Sequence, residues 1–135
     1  MNSEALRQSL LAKFREVSAD RLERIGLSLV ALERDGLASG PETDDLAREL
    51  HTMKGEARML ALPRVGELAH AAEDLLKAAR DGRAPLSCAA DLLLQACDAI
   101  AELLEDLPSA QALNERGRGL LEAMIRASGA PAPGP

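Results

Sequence analysis

Apolar residues along the chain fall into stretches of helical spacing separated by short polar breaks rich in Gly and Pro. Between residues 3 and 34 there is no Pro and a single Gly, Gly26. Over the same stretch Leu6, Leu10, Phe14, Val17, Leu22, Ile25, Leu29 and Leu32 return every three to five positions. That repeat follows the helical period and predicts one long amphipathic helix, with Ser18 as the place where a kink would fall. The run DGLASGPETDD ends it and supplies cap residues for a second helix over residues 43–61. The buried stripe of that helix is predicted to be Leu46, Leu50, Met53, Ala57 and Leu60. Pro63 suits a first helical turn, where its missing N–H costs nothing, and DGR at 81–83 closes a third helix over 63–80. Its stripe reads Val65, Leu68, Ala69, Ala72, Leu76 and Ala79. Pro85 and Ser87 open a fourth helix reaching about residue 106, and Pro108 and Ser109 open a fifth that frays near Ser128.

The connections between the second, third and fourth helices are short, so sequential neighbours should run antiparallel in an up-down bundle. Composition agrees. Hydrophobic residues make up 47% of the 135, yet aromatics are only 1%, and the Leu and Ala that dominate favour helices over strands. An all-α fold in one domain over residues 1–128 is predicted. The remaining GAPAPGP, residues 129–135, has no apolar repeat and reads as a flexible linker or tail.

A net charge of -6 leaves no basic stripe to neutralise phosphates, which argues against nucleic acid and against anionic membranes. No run of about 18 apolar residues exists, and Glu4 and Arg7 stand where a secretory signal needs its apolar stretch. A cytoplasmic protein without membrane insertion is expected. Cys88 and Cys97 lie nine positions apart in a predicted helix, match no redox or zinc spacing, and read as reduced, half-buried small residues.

The chemistry gathers on the outward side of the second helix. His51 lies about 140° from the centre of the buried stripe, and Lys54, Gly55 and Arg58 return to nearly the same direction. On the third helix His70, Glu73 and Lys77 lie off the core stripe. In an antiparallel hairpin the two polar strips can adjoin along one open edge, where Glu73 could accept the Nδ1–H of His51. Such a carboxylate fixes one tautomer and leaves Nε2 as an oriented nucleophile toward phosphorus. Lys54 and Arg58 could hold phosphoryl oxygens, and Gly55, costly inside a helix by roughly 1 kcal/mol, would leave room for an incoming active site. Taken singly, each of these residues is an ordinary solvated surface group; their joint placement carries the reading.

The run ARELHTMKGEARMLAL resembles the histidine phosphotransfer signature, His-x-x-Lys-Gly with Ala two positions after the Gly, here His51, Lys54, Gly55 and Ala57. The following LPRVGELAHAAEDLLKAARDG is similar to the third helix of the N-terminal phosphotransfer domain of CheA-type chemotaxis kinases, whose His and Glu would here be His70 and Glu73. The similarity runs over residues 10–107, and HTMKGEAR looks closer to a gliding-motility branch. The resemblance implies a four-helix bundle core with an additional fifth C-terminal helix. It further implies phosphorylation of His51 by a separate ATP-binding histidine kinase catalytic domain and transfer to an aspartate of response-regulator receiver domains. Many relatives carry Gly at the positions of Arg58 and Ala61, so the surface beside His51 is bulkier and more positive here. Arg58 and Lys77 are candidates for contacting the phosphoryl group or the partner.

The chain lacks a Walker-type phosphate loop and an obvious Mg²⁺ carboxylate set, so it should bind no cofactor and be no enzyme alone. ATP would be the phosphoryl source through a kinase domain, which a longer parent chain, itself a histidine protein kinase, could supply. Two other readings compete. A metal site of His51, His70 and Glu73 is disfavoured by the nearby cations Lys54, Arg58 and Lys77, and a non-catalytic helical interaction module would share the fold but not the chemistry.

Overall fold

The computed structural model describes residues 2–36, 41–107 and 112–129. Among these residues there are five helices and no strand: α1 (Ser3–Asp35), α2 (Pro41–Met59), α3 (Pro63–Arg80), α4 (Leu86–Glu105) and α5 (Glu115–Ala127). α1 packs on α2 and α4, and α3 packs on α2 and α4, which closes a four-helix ring. α5 lies against α3 and α4 on its outside. Two side-chain contacts show the alternation of direction. Arg7 near the start of α1 reaches the Leu60 carbonyl just past α2, and Asp44 near the start of α2 pairs with Arg80 at the end of α3.

The centre of the bundle is filled by Ile25, Leu29, Met53, Leu68, Leu75, Leu76 and Ile100, all fully buried, and Met124 of α5 is fully buried as well. α3 is buried on more than one side because it has three neighbours, and Ala69, Ala71, Ala72, Ala78 and Ala79 let those helices approach closely. Its bounds are those the sequence predicted and all six predicted stripe residues are buried, but Gly66, Ala71, Leu75 and Ala78 are buried as well.

α1 departs from expectation at its start. It runs uninterrupted, and its buried positions are Leu11, Phe14, Ser18, Leu22, Ile25, Leu29 and Leu32, spaced by three and four. Leu6 and Leu10 are 51% and 48% exposed and Val17 is only half-buried. The reason is phase: the inward stripe repeats through Leu11, Phe14, Ser18 and Leu22, so Leu6, Leu10 and Val17 each fall one position off it. α2 starts at Pro41 and ends at Met59, two residues earlier at both ends than predicted. The fifth helix is expected to open at Pro108 and Ser109, which lie outside the described residues. α5 starts at Glu115, where the Asn114 side chain accepts the Gly117 N–H at 2.7 Å. The predicted tail beyond Gly129 also lies outside the described residues. The two cysteines are free but not alike. Cys88 is exposed and Cys97 is buried, and burial, with Asp98 adding to it, pushes the Cys97 thiol up to about 12.

Three arginines hold helix ends across the bundle. Arg15 donates to the carbonyls of Leu104 and Leu107 at 2.9 and 3.1 Å, Arg7 to Leu60 at 2.9 Å, and Arg83 to Ser128 at 2.9 Å. Leu104 is in the last turn of α4, where carbonyls lack a helical partner, and Leu60, Leu107 and Ser128 lie just past helix ends, so each arginine also faces the negative end of a helix dipole. α4 has no basic residue in its last turn, and α1 supplies one through Arg15.

α2 ends in a left-handed turn made without glycine. Leu62 donates to the Ala57 carbonyl at 2.8 Å and Ala61 to Arg58 at 3.2 Å, which places Ala61 at φ 58°. The corresponding position after α1 is Gly36, at φ 72°. A Cβ crowds the backbone in this region, so Ala61→Gly should stabilise the protein by about 0.5–1 kcal/mol, the relief of strain exceeding the extra freedom of the unfolded chain. Urea denaturation checks this, and an unchanged or lower midpoint would contradict it.

Candidate functional site

The α2–α3 hairpin brings His51 and Glu73 together. His51 Nδ1 lies 2.9 Å from Glu73 Oε2, and Lys54 Nζ donates to the other carboxylate oxygen, Oε1, at 2.6 Å. His51 and Lys54 reach the same residue because they are one helical turn apart on α2. Their exposures differ sharply. The His51 ring is 69% exposed, while Lys54 and Glu73 are 12% and 20% exposed. The carboxylate is therefore anchored inside the seam, and the imidazole stands above it with Nε2 free of any partner among the described residues.

A carboxylate can only accept at Nδ1, so the neutral ring is the tautomer with hydrogen on Nδ1 and the lone pair on Nε2. Burial pushes the Glu73 carboxyl up, but the hydrogen bonds from Lys54 and His51 and their charges outweigh it and hold the group below its ordinary value of 4.5. A depressed carboxyl stabilises the fold fully above its unfolded value and loses that contribution as pH falls through the folded one. The stability gap between wild type and Glu73→Gln should therefore be constant near neutrality and shrink as pH drops below about 4.5. Denaturation from pH 3 to 7 tests it. A gap that stays constant at every pH would mean that the carboxylate charge contributes nothing.

The structure leaves the other predicted residues in distinct places. Lys54, expected to stand ready for phosphoryl oxygens, is already engaged by Glu73 and locks it. The sequence reading assigned no partner to that second carboxylate oxygen. His70 does not join the cluster; it faces Asp74 at 3.5 Å on its own helix, with both side chains about half exposed. Arg58 and Lys77 are exposed and make no ion pair among the described residues. Among the described residues no three His, Cys, Asp or Glu side chains converge as metal ligands.

Gly55 lies one turn from His51, and a Cβ built on it meets nothing within 4 Å. Space inside the molecule does not demand glycine there. Gly55→Ala should raise stability by about 0.5–1 kcal/mol through helix propensity alone. If the bare backbone serves an approaching partner, the same change slows phosphoryl exchange with it. A more stable variant with an unchanged exchange rate would remove the access role.

The Hpt domain family matches residues 9–128. The chain belongs to the Hpt domain family. It is a phosphoryl carrier domain of two-component signalling, a phosphoacceptor and not a catalyst by itself. This Hpt domain is 48% identical over 129 residues to a gliding motility regulatory protein of Myxococcus xanthus, covering 96% of the chain and 16% of that protein. It is 29% identical over 99 residues to the chemotaxis protein CheA of Treponema pallidum (strain Nichols), covering 73% of the chain and 12% of that protein. The chain thus spans less than a fifth of either relative. Among solved structures it is similar to the phosphorylated P1 domain of CheA3 in complex with CheY6 from R. sphaeroides. The two share 28% identity with a TM-score of 0.75, over 90% of this chain and 96% of that one. No described helix of the Hpt domain is long and apolar enough to cross a membrane.

Proposed function

We propose that His51 is the phosphoacceptor of this Hpt domain. In this reading it takes a phosphoryl group from ATP bound in a CheA-type histidine kinase domain and passes it to an aspartate on a response-regulator receiver. The observation that carries the proposal is the exposed ring with Nδ1 held by Glu73 and Nε2 free. The Nε2 lone pair attacks the γ-phosphorus, the bond to the ADP oxygen breaks, and ADP leaves with its electrons. The ring keeps its Nδ1 hydrogen and gains positive charge, which the Glu73 carboxylate faces at hydrogen-bond distance. In the second step a receiver carboxylate oxygen attacks phosphorus, the N–P bond breaks, and Nε2 recovers its lone pair.

The relatives support the wider setting. Both curated ones are much longer than this chain, and the solved neighbour is a phosphorylated P1 domain bound to CheY6. A longer parent chain that is itself a histidine protein kinase, working in the cytoplasm and lending ATP chemistry to a domain that binds no cofactor, fits these matches. The test is incubation with γ-labelled ATP and a CheA-type kinase deprived of its own phosphotransfer domain. The Hpt domain should gain an acid-labile, alkali-stable label that an added receiver removes. An acid-stable label, or one that no receiver discharges, would contradict the carrier role.

A further inference from the structure

The cations of the α2–α3 hairpin are nearly all neutralised. Arg48 pairs with Asp45, Lys54 with Glu73, Arg64 with Glu67 and Arg80 with Asp44. Arg58 and Lys77 are the exceptions among the described residues of the hairpin, and both are exposed. Their positions bracket His51. Arg58 is two turns further along α2, about 10 Å in helical rise, and its Cγ lies over the seam, 3.9 Å from where a Cβ of Gly66 on α3 would sit. Lys77 is one turn beyond Glu73 on α3, about 6 Å in rise, in the opposite direction because the helices are antiparallel. It lines an open recess of about 430 Å³ together with Ala47, the residue one turn before His51, and with Glu73, Asp74, Arg80 and Asp81, whose charges are paired elsewhere. Diagonally across the ring α4 bears Asp91, Asp98, Glu102 and Glu105, all exposed, and no cation at all. The hairpin also carries carboxylates, most of them paired, so the two unpaired cations beside His51, and not a net positive charge, distinguish this edge from α4.

We infer that Arg58 and Lys77, unpaired cations on either side of His51, are specificity-determining residues that steer and register a receiver whose acceptor aspartate is rimmed by carboxylates; this rests on the carrier reading above. Leaving a surface cation without a counter-ion preserves its field for a partner, whereas Lys54, buried against Glu73, spends its charge internally. Such rim charges act on encounter rate and salt dependence more than on the bound state. A receiver also has to bring carboxylate oxygen to phosphorus, so its docking face carries negative charge by the nature of the reaction.

The experiment charges the wild type and an Arg58→Gln/Lys77→Gln variant with a CheA-type kinase and labelled ATP, and removes the nucleotide. Discharge by a CheY-type receiver is then followed against receiver concentration and salt. The variant should be discharged about 10-fold more slowly at low salt. The loss should lie in the receiver concentration needed for half-saturation, and it should fade near 0.5 M salt, where screening acts within about 4 Å. A loss that persists at high salt, or one confined to the limiting rate, overturns the inference by placing the cations on the phosphoryl group. No loss overturns it directly, and a variant that cannot be charged moves the cations to the donor side. A wild type that takes no label sinks the carrier reading itself, which is a separate and recognisable failure.

Discussion

His51→Gln is expected to abolish phosphoryl uptake and leave the bundle folded. Glutamine keeps good helix propensity and a polar surface, but its amide nitrogen has its lone pair delocalised and is no nucleophile. The ring it replaces is 69% exposed, so little apolar area is lost, and the Glu73 carboxylate keeps Lys54 at 2.6 Å. Stability should change by no more than about 0.5 kcal/mol, the usual range for surface substitutions. Label incorporation should fall by about 10³-fold or more, to the background of the assay, because His70, the other imidazole, lies outside the Glu73–Lys54 cluster. Circular dichroism melting beside the labelling assay separates loss of chemistry from loss of fold. A folded variant that still takes label at a comparable rate would move the acceptor to the remaining histidine, His70.

Glu73→Ala should be the next most damaging change. It removes the acceptor that selects the Nδ1–H tautomer and the negative charge that faces the ring as it becomes cationic. It also strands Lys54, which is 12% exposed and would then lie beside the imidazole with no counter-ion. In a serine protease triad, corrupting the equivalent carboxylate costs about 10⁴ in rate. The loss here should be smaller, about 10- to 100-fold, because His51 is exposed and water can take over part of the carboxylate's work. Rates of phosphorylation measured at saturating kinase, with Glu73→Gln as a companion, check the claim. A change below twofold in both variants would make the His51–Glu73 contact structural only.

The parts of the fold legible in the sequence are those bracketed by local signals. α3 sits between Pro63 and the DGR turn, which fix its bounds, while the burial of Leu75 and Ala71 outside the predicted stripe comes from its third neighbour, α5, and the wider packing. At the start of α1, Leu6 and Leu10 continue the apolar repeat although they lie off the buried stripe, and the five-residue step from Val17 to Leu22 is the trace of that phase change in the sequence. Pro108 and Ser109 are as good a local start signal as Asn114, so local signals alone do not single out the Asn114 cap at which α5 begins. The arginine contacts to distant helix carbonyls were invisible, since a side chain reaching backbone about 50 to 90 residues away leaves no periodic trace. At the site, helical phase was enough to bring His51 and Glu73 to one edge. It could not say that Lys54 would turn inward to Glu73 or that His70 would lean toward Asp74, because those outcomes depend on rotamers.

The most direct measurement is the position of phosphorus on the charged protein, read by ³¹P–¹⁵N coupling in uniformly ¹⁵N-labelled Hpt domain phosphorylated by a CheA-type kinase. The geometry predicts one phosphorus, bonded to Nε2 of His51, with Nδ1 still protonated toward Glu73. Phosphorus on Nδ1, or on His70, would contradict the account at its centre.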